Sequence, residues 1–371
     1  MLYTINSIVK RCSILLVLIA PLSACQNGAD DDPKTSAFDR KEMLSYYANS
    51  IIKPRYLNLQ LAVEQLQVVT RNFANQPTMQ NLEVAKSTWL DTYLTWQYAN
   101  SFNFGPAGEQ GINKGLIEEI GTYPTSAVKI ETTIKSGQFN FNNFDRDARG
   151  FLAVEYLLYS ASPAETISLF TDQKRKDFLL AAVENIKTRV DKVAVEWNAY
   201  ANEFIANDGT DVGSSTSALY NEFVRNYEGL KNFKVGLPLG KRPGQTKAEP
   251  TKVETYYSGQ SLACIKANYI ALEDFYYGKS ADGNRGISFK TYLENVEGGK
   301  ALVASTEAQL ASIRTALNAI PSTVPFSQII INNAATVDAL HTELQKNTRF
   351  FKSDMSSILG IAITFASGDG D

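Results

Sequence analysis

The chain has 371 residues, of which 44% are hydrophobic and 20% are charged, and its formal net charge is −3 at pH 7. This balance provides no basic surface and argues against a nucleic-acid partner. The single His, His341, excludes a Ser-His-Asp triad and a cluster of His metal ligands, so we expect an ordinary helix residue there. The length exceeds that of a typical single domain and favours two domains.

The N-terminus has the order of a secretory signal. Lys10 and Arg11 precede an apolar run that ends in Leu-Ser-Ala-Cys at residues 22–25. This order is typical of a lipoprotein signal, so we predict a signal peptide over residues 1–24 and lipidation of Cys25, with a simply cleaved signal as the alternative. The run is too short to span a bilayer. The lipid on Cys25 would therefore anchor the protein to the membrane.

Residues 25–36 are polar and acidic, which predicts a flexible tether. The Asp run at residues 30–32 is similar to signals that send some lipoproteins to the outer face of the outer membrane, and a solvated linker explains it equally well. We predict an outer-membrane lipoprotein that faces the periplasm or is exposed at the surface. With Cys25 lipidated, Cys264 has no disulfide partner, and we expect it to be buried.

Helical periodicity dominates the remaining chain. Apolar residues step by threes and fours from residue 174 to 206, which predicts one long amphipathic helix. The sequence predicts an all-α fold of two packed helical-bundle domains, an N-terminal one over residues 37–206 and a C-terminal one over 218–371. A linker rich in Gly, Asp and Ser, residues 207–217, would join them. A divergent duplication of one bundle stays open.

One stretch, DRDARGFLAVEYLLYS at residues 145–160, predicts a helix that is buried on all sides, because its apolar residues surround the axis. Glu155 is the exception within it. A buried carboxylate needs a partner, a proton or a cation. Two interpretations are open: Glu155 pairs with Arg149 or Arg146 as a structural bridge, or it lines a cavity between helices.

The same stretch resembles the signature of the imelysin family, in which G-x-H-x-x-E is followed by Tyr-Leu-Leu. Gly150, Glu155 and the Tyr-Leu-Leu at residues 156–158 match, whereas Leu152 stands at the His position. In the family pattern the His and the Glu share one helix face and could hold a metal or act on a substrate. Leu can do neither. The GLPLG loop at residues 236–240 and other blocks follow the family in the same order.

This resemblance implies an all-helical fold in which the signature helix faces a cleft between two bundle-like domains. The facing residues of the second domain would be Glu254, Tyr257, Ser258 and Ser261. The first three belong to the irregular segment 235–259, and loops of that length tend to be functional or disordered. The candidate ligand-binding cleft comprises Arg149, Gly150, Leu152, Glu155, Tyr156, Glu254, Tyr257, Ser258 and Ser261.

The resemblance also implies a choice of functions, because the family is named after a reported metallopeptidase and its relatives are linked to bacterial iron uptake. Since Leu152 replaces the signature His, we expect no catalytic residue, no metal site and no cofactor, with an unidentified metal as the open alternative. We expect a non-catalytic, lipid-anchored protein that binds a ligand, or a partner from an envelope uptake system, in iron or haem acquisition. A metal-dependent peptidase and a structural helical adaptor are the alternatives.

Overall fold

The structure is a computed structural model that describes residues 38–110 and 114–365. The predicted signal peptide, Cys25 and the tether lie outside the described residues, so the predictions about them stay predictions. Phe38–Asp371 forms one compact unit. Within the described ranges, none of the helices combines the length and the apolar character that a membrane span requires.

Two long helices and a longer third one organise the first half of the chain. The helix α2 packs against both α3 and α8, and α6 packs against α3 and α8. The 34-residue α8 begins after Asp172, whose side chain accepts a hydrogen bond from the Lys174 backbone N–H and so caps the helix. The helices of this half are α1 Arg40–Tyr46, α2 Lys53–Asn75, α3 Met79–Ala99, α4 Leu116–Ile120, α5 Ala127–Ser136, α6 Gly150–Tyr159, α7 Pro163–Leu169 and α8 Gln173–Ala206.

The second half repeats the pattern of long helices joined by short ones. Its helix α11 packs against α3 of the first half, and α13 packs against α15. The helices are α9 Ser215–Gly229, α10 Leu237–Leu239, α11 Ser261–Tyr277, α12 Phe289–Glu294, α13 Gly299–Asn318, α14 Phe326–Asn332, α15 Ala334–Thr348 and α16 Met355–Leu359. The segment 235–259 is irregular over most of its length, as expected, with α10 and the 3₁₀ turn Pro250–Lys252 inside it.

The all-α prediction is confirmed. The described part of the chain has no strand, and an isolated bridge pairs Lys279 with Arg285. The stripe that predicted a long helix after residue 174 lies on α8, where Leu179, Val183 and Ile186 are fully buried. The helical spacing therefore placed the core-facing residues correctly, because burial of an amphipathic face is the main source of helix stability in proteins.

The predicted linker 207–217 overlaps the connection between α8 and α9, although residues 215–217 already belong to α9. Buried residues from both halves of the described chain belong to one hydrophobic core. The division into two domains and the duplication stay predictions.

Three π-helical segments lie within the described helices: Tyr47–Ile52, Leu230–Gly236 and Arg349–Asp354. Each continues directly into an α-helix on both sides. The π-helix is rare and occurs mostly as single turns, frequently at functional sites. The middle segment carries Lys234, which belongs to the candidate site.

Candidate functional site

The helix α6 begins at a position that only Gly can occupy. Gly150 has a φ of +73°, and a Cβ placed on it would lie 2.3 Å from the carbonyl oxygen of Ile120. A residue with a Cβ would be strained by the left-handed backbone conformation. Its Cβ would also collide with the end of α4. The first residue of the signature therefore serves close packing of α4 against the start of α6.

Arg149 and Arg146 do not pair with Glu155, so that interpretation of the sequence is wrong. Both guanidinium groups bind the buried Glu119 of α4: Arg149 Nη2 contacts Oε2, and Arg146 Nε lies 2.9 Å from Oε1. Arg189 of α8 joins the same carboxylate at 3.2 Å. The reason is positional, because Arg149 has an extended backbone before the first turn of α6 and lies beside α4. Arg149 is thus a structural residue of the Glu119 cluster.

Glu155 instead meets the turn that precedes α11. Its side chain is 1% exposed, and its Oε1 accepts hydrogen bonds from both the backbone N–H and the hydroxyl of Ser258, each 2.7 Å long. Burial raises the pKa of Glu155 to about 7, and the two Ser258 donors oppose that rise because they favour the charged form. The structure therefore brings together two residues that the sequence placed on opposite sides of the cleft.

The neighbouring candidates Tyr156 and Tyr257 also meet. Their rings contact edge to face with centroids 5.1 Å apart, a geometry that aromatic quadrupoles favour. The Tyr156 hydroxyl donates to Glu131 Oε1 over 2.9 Å, and Arg175 binds the same carboxylate. The Tyr156–Tyr257 pair thus lies beside the Glu155–Ser258 contact.

Glu254 lies in the same turn and forms a buried ion pair with Lys234 of the middle π segment. Lys234 Nζ lies 2.7 Å from Oε2 and 2.8 Å from Oε1. Oε1 also accepts from the Tyr93 hydroxyl at 2.7 Å and from Gln97 at 3.3 Å. Each charged group is thus paired and hydrogen-bonded, the condition under which charges are tolerated in a protein interior.

The turn that carries Glu254 has a strained backbone, and a hydrogen bond fixes its position. The next residue, Thr255, is fully buried with a φ of +53°, and such a conformation is an outlier for a β-branched residue. The Ser261 hydroxyl donates to the Glu254 carbonyl. Thr255 also lies against Cys264, which is buried as expected and whose thiol pKa is raised by that burial. Strain of this kind concentrates at functional sites.

A row of buried amides continues from the ion pair. Lys234 Nζ donates to Gln97 Oε1 over 2.6 Å, and Asn226 donates to Asn100 over 3.0 Å. Asn268 of α11 donates to Asn226 over 2.9 Å. These contacts join α3, α9 and α11 through side chains that lie in the middle of the molecule.

A cavity of about 370 Å³ opens beside this network. Its walls come from the end of α3, from α4, from α9 with its π segment, and from α11. Glu254 is the only one of the sequence-predicted cleft residues that lines it. The lining residues are Trp96, Asn100, Asn103, Ile117, Glu118, Gly121, Thr122, Tyr123, Glu222, Arg225, Asn226, Gly229, Leu230, Phe233, Lys234, Leu237, Glu254 and Asn268.

The donor set around Glu155 does not fit a zinc ion. Zinc in proteins is held by His, Cys and carboxylate ligands, but the position one turn before Glu155 holds Leu152, which is 2% exposed and part of the core. The oxygen Oε1 of Glu155 is already engaged by Ser258. Across the residues that the structure describes, no three His, Cys, Asp or Glu side chains converge as metal ligands.

Sequence reasoning missed Lys234 and the amides of the network. The available indication was the composition of α9, in which Asn and Glu alternate with Tyr, Phe and Val so that no face is purely polar. Such a helix has to bury some of its polar side chains. His341, by contrast, is the half-buried helix residue that the sequence predicted, on α15.

We expect Glu155 to make stability depend on pH with a defined sign. In the unfolded chain its carboxyl titrates near 4.5, and in the folded chain near 7. Between these values only the folded state keeps the proton, so the free energy of unfolding falls as the pH rises. At about 1.4 kcal/mol per unit, the loss is about 3 kcal/mol.

Urea denaturation of the wild type and of Glu155→Gln at several values between pH 4.5 and 8 checks this expectation. The free energy of unfolding of the wild type, minus that of Glu155→Gln, should decrease as the pH rises across that window. The other titrating groups are common to both proteins and cancel in this difference. Ser258→Ala should extend the window upward, since it removes the hydroxyl donor to the carboxylate and leaves only the backbone N–H. A difference that does not change with pH would contradict the assignment.

Comparison with known proteins shows the family to which this chain is similar. The model of the Imelysin family (Peptidase_M75) matches residues 52–349. Iron-regulated protein A of Synechococcus elongatus is 22% identical over 302 residues, which cover 78% of this chain and 79% of that protein. A crystal structure described as an iron-regulated protein A precursor from Parabacteroides distasonis has a TM-score of 0.72 at 15% identity, covering 86% of this chain and 95% of that one.

An imelysin-like protein from Psychrobacter arcticum gives a similar comparison. Its crystal structure has a TM-score of 0.71 at 20% identity, with coverage of 89% of this chain and 98% of that chain. Both solved structures share the all-helical fold described above. Because the family model matches most of the chain, and because the signature helix has the Gly and the Glu that the resemblance predicted, this protein belongs to the Imelysin family.

Proposed function

We propose that this protein is a lipid-anchored component of the cell envelope that binds a ligand without converting it and serves iron or haem uptake. The observation that carries the proposal is the state of the signature helix. Leu152 can neither ligate a metal nor move a proton, and Glu155 spends its Oε1 on two Ser258 donors. Metal-assisted hydrolysis needs a metal-activated water, and Leu152 removes the nitrogen ligand that would help to hold the metal.

The link to iron rests on the relatives. One protein of similar sequence and one of similar fold carry the name iron-regulated protein A. The name describes regulation of those proteins, and it supports a role for this chain in a process that responds to iron.

The anchor rests on the N-terminal sequence, where Cys25 ends a lipoprotein signal. Replacement of Cys25 by Ser should release the mature protein from the membrane fraction of cells that produce it. A variant that stays in the membrane fraction would refute the lipid anchor.

The binding role rests on the 370 Å³ cavity, which falls in the size range of small-molecule sites and has an apolar wall with a few polar groups. Gly229 lines it, and a Cβ added there meets nothing within 4 Å. Gly229→Leu should therefore fill the cavity without disturbing the helix. Titration of the wild type with haem and, separately, with ferric citrate should show binding that this variant loses.

Peptidase assays on the wild type, Leu152→His and Leu152→Met test the non-catalytic part. We expect the wild type and Leu152→Met to leave peptides intact, with and without zinc. Leu152→His restores a His and a Glu on one helix face and is expected to raise zinc affinity, while the Met variant controls for volume. Hydrolysis by the wild type that a chelator abolishes would favour the peptidase instead, and a lack of any binding to the cavity would favour the structural adaptor.

A further inference from the structure

Two residues that line the cavity carry buried acceptor atoms that the described part of the protein does not use. Glu222 is 5% exposed and Asn268 is fully buried, and both line the cavity. Within the described part of the chain, Glu222 Oε1 and Asn268 Oδ1 have no hydrogen-bond partner. Buried polar atoms are rarely left in this state, and each one calls for an explanation.

Both acceptors belong to one wall of the cavity. Asn226 follows Glu222 by one turn of α9, so their side chains share a helix face. Asn268 donates to Asn226 over 2.9 Å through its amide nitrogen, which leaves its oxygen as the free end of the group. Both residues of the lining are thus connected through Asn226.

The buried cation of the lining, Lys234, already uses its donors. Lys234 Nζ has three protons, and it has three acceptors in Gln97 Oε1 and the two oxygens of Glu254. Arg225 is half-exposed, and its Nη1 lies 3.6 Å from Glu222 Oε2, beyond hydrogen-bond distance. The buried atoms of the lining that still lack a partner are thus acceptors, which suit a ligand that donates hydrogen bonds.

Charge points the same way. The Lys234–Glu254 pair is neutral overall, so the remaining ionisable side chains of the lining are those of Glu118, Glu222 and the half-exposed Arg225. Three aromatic residues also line the cavity and form its aromatic wall: Trp96, Tyr123 and Phe233. Carboxylates together with aromatic faces are the surroundings in which proteins hold organic cations.

We infer that the cavity binds a primary ammonium group carried on an apolar stem, with its N–H groups donating to Glu222 Oε1 and Asn268 Oδ1 and the stem lying against the aromatic wall. This inference rests on the proposed binding function, since it names the ligand class of that same cavity. It is independent of whether the anchor and the link to iron hold.

Binding of such a cation should couple to a proton. Burial raises the pKa of Glu222 to about 8; Arg225 opposes the rise, and Glu118 adds to it. Tyr56 of α2 also lies close enough to interact with this carboxyl. An ammonium favours the charged carboxylate, so Glu222 should lose its proton on binding, and affinity should increase about tenfold per unit as the pH rises toward 8.

Calorimetric titration of the purified protein with n-hexylammonium tests the inference, with n-hexanol and hexanoate as neutral and anionic analogues. We expect the ammonium to bind, more tightly at pH 7.5 than at 6.5, and the two analogues to bind at least tenfold more weakly. Glu222→Gln should weaken binding at least tenfold, whereas Glu83→Gln, which changes an exposed carboxylate outside the cavity, should not alter it. Gly229→Leu should abolish binding, and circular dichroism confirms that each variant is folded.

Equal affinity for hexanol and hexylammonium, or full affinity in Glu222→Gln, would overturn the ligand class. The binding function is judged separately by Gly229→Leu. If haem or ferric citrate binds and this variant abolishes that binding while hexylammonium never binds, the function stands and the ammonium assignment falls. If the variant changes the binding of none of these molecules, both fall.

Discussion

Replacement of Lys234 by Met is expected to lower the free energy of unfolding by about 3–5 kcal/mol, which is the usual cost of leaving one member of a buried ion pair alone. Glu254 is 2% exposed and would lose its only cationic partner within the described contacts. Tyr93 and Gln97 would still donate to its Oε1, but neither supplies a positive charge. Urea denaturation measures the loss.

Two further variants make this result specific. Lys234→Met combined with Glu254→Gln should recover most of the stability, because no buried charge is left unpaired. Lys241→Met breaks an ion pair with Asp338 in which both side chains are more than 40% exposed, and it should cost less than about 1 kcal/mol. If Lys234→Met costs no more than Lys241→Met, the pair with Glu254 does not stabilise the site.

Replacement of Gly150 by Ala is expected to lower the free energy of unfolding by about 2–5 kcal/mol. The left-handed backbone costs about 1–2 kcal/mol for a residue with a Cβ, and overpacking adds about 1–3 kcal/mol. The added Cβ would lie 2.3 Å from the Ile120 carbonyl oxygen and 2.6 Å from its carbonyl carbon. These are backbone atoms of α4, so α4 and α6 would have to separate.

Gly283→Ala is the matched control for that experiment. Gly283 has a φ of +89°, and a Cβ there meets nothing within 4 Å, so its replacement carries the backbone cost without the collision. Thermal and urea denaturation of the two variants should separate the terms. An equal loss in both would show that the contact with Ile120 contributes nothing.

The sequence predicted those features of the site that depend on composition along one helix. The all-apolar surroundings of Glu155 correctly indicated a buried carboxylate that needs a partner. The cost of burying a charge does not depend on which part of the chain supplies that partner. The partner itself could not be predicted. Ser258 lies 103 residues away in a turn with no periodicity, whereas the nearby Arg149 offered a plausible local choice and in fact serves Glu119.

The cavity could not be predicted from the sequence either. Its unpaired acceptors, Glu222 and Asn268, lie on α9 and α11, and each of these helices reads as an ordinary buried helix by itself. Only their packing reveals which oxygen atoms remain without a donor. Patterns of hydrophobicity describe faces, and they contain no information about hydrogen bonds between helices.

The π segment Leu230–Gly236 has a consequence for how this family is aligned. Its hydrogen bonds close over one residue more than those of an α-helix, so it holds one residue that a regular helix of the same length would not need. In a regular α-helix one additional residue would turn everything that follows by about 100° around the axis, since an α-helix has about 3.6 residues per turn, whereas the wider π turn absorbs it. Relatives that lack the π turn should therefore show a single-residue gap here, and residues that are equivalent after the gap should face the same neighbours.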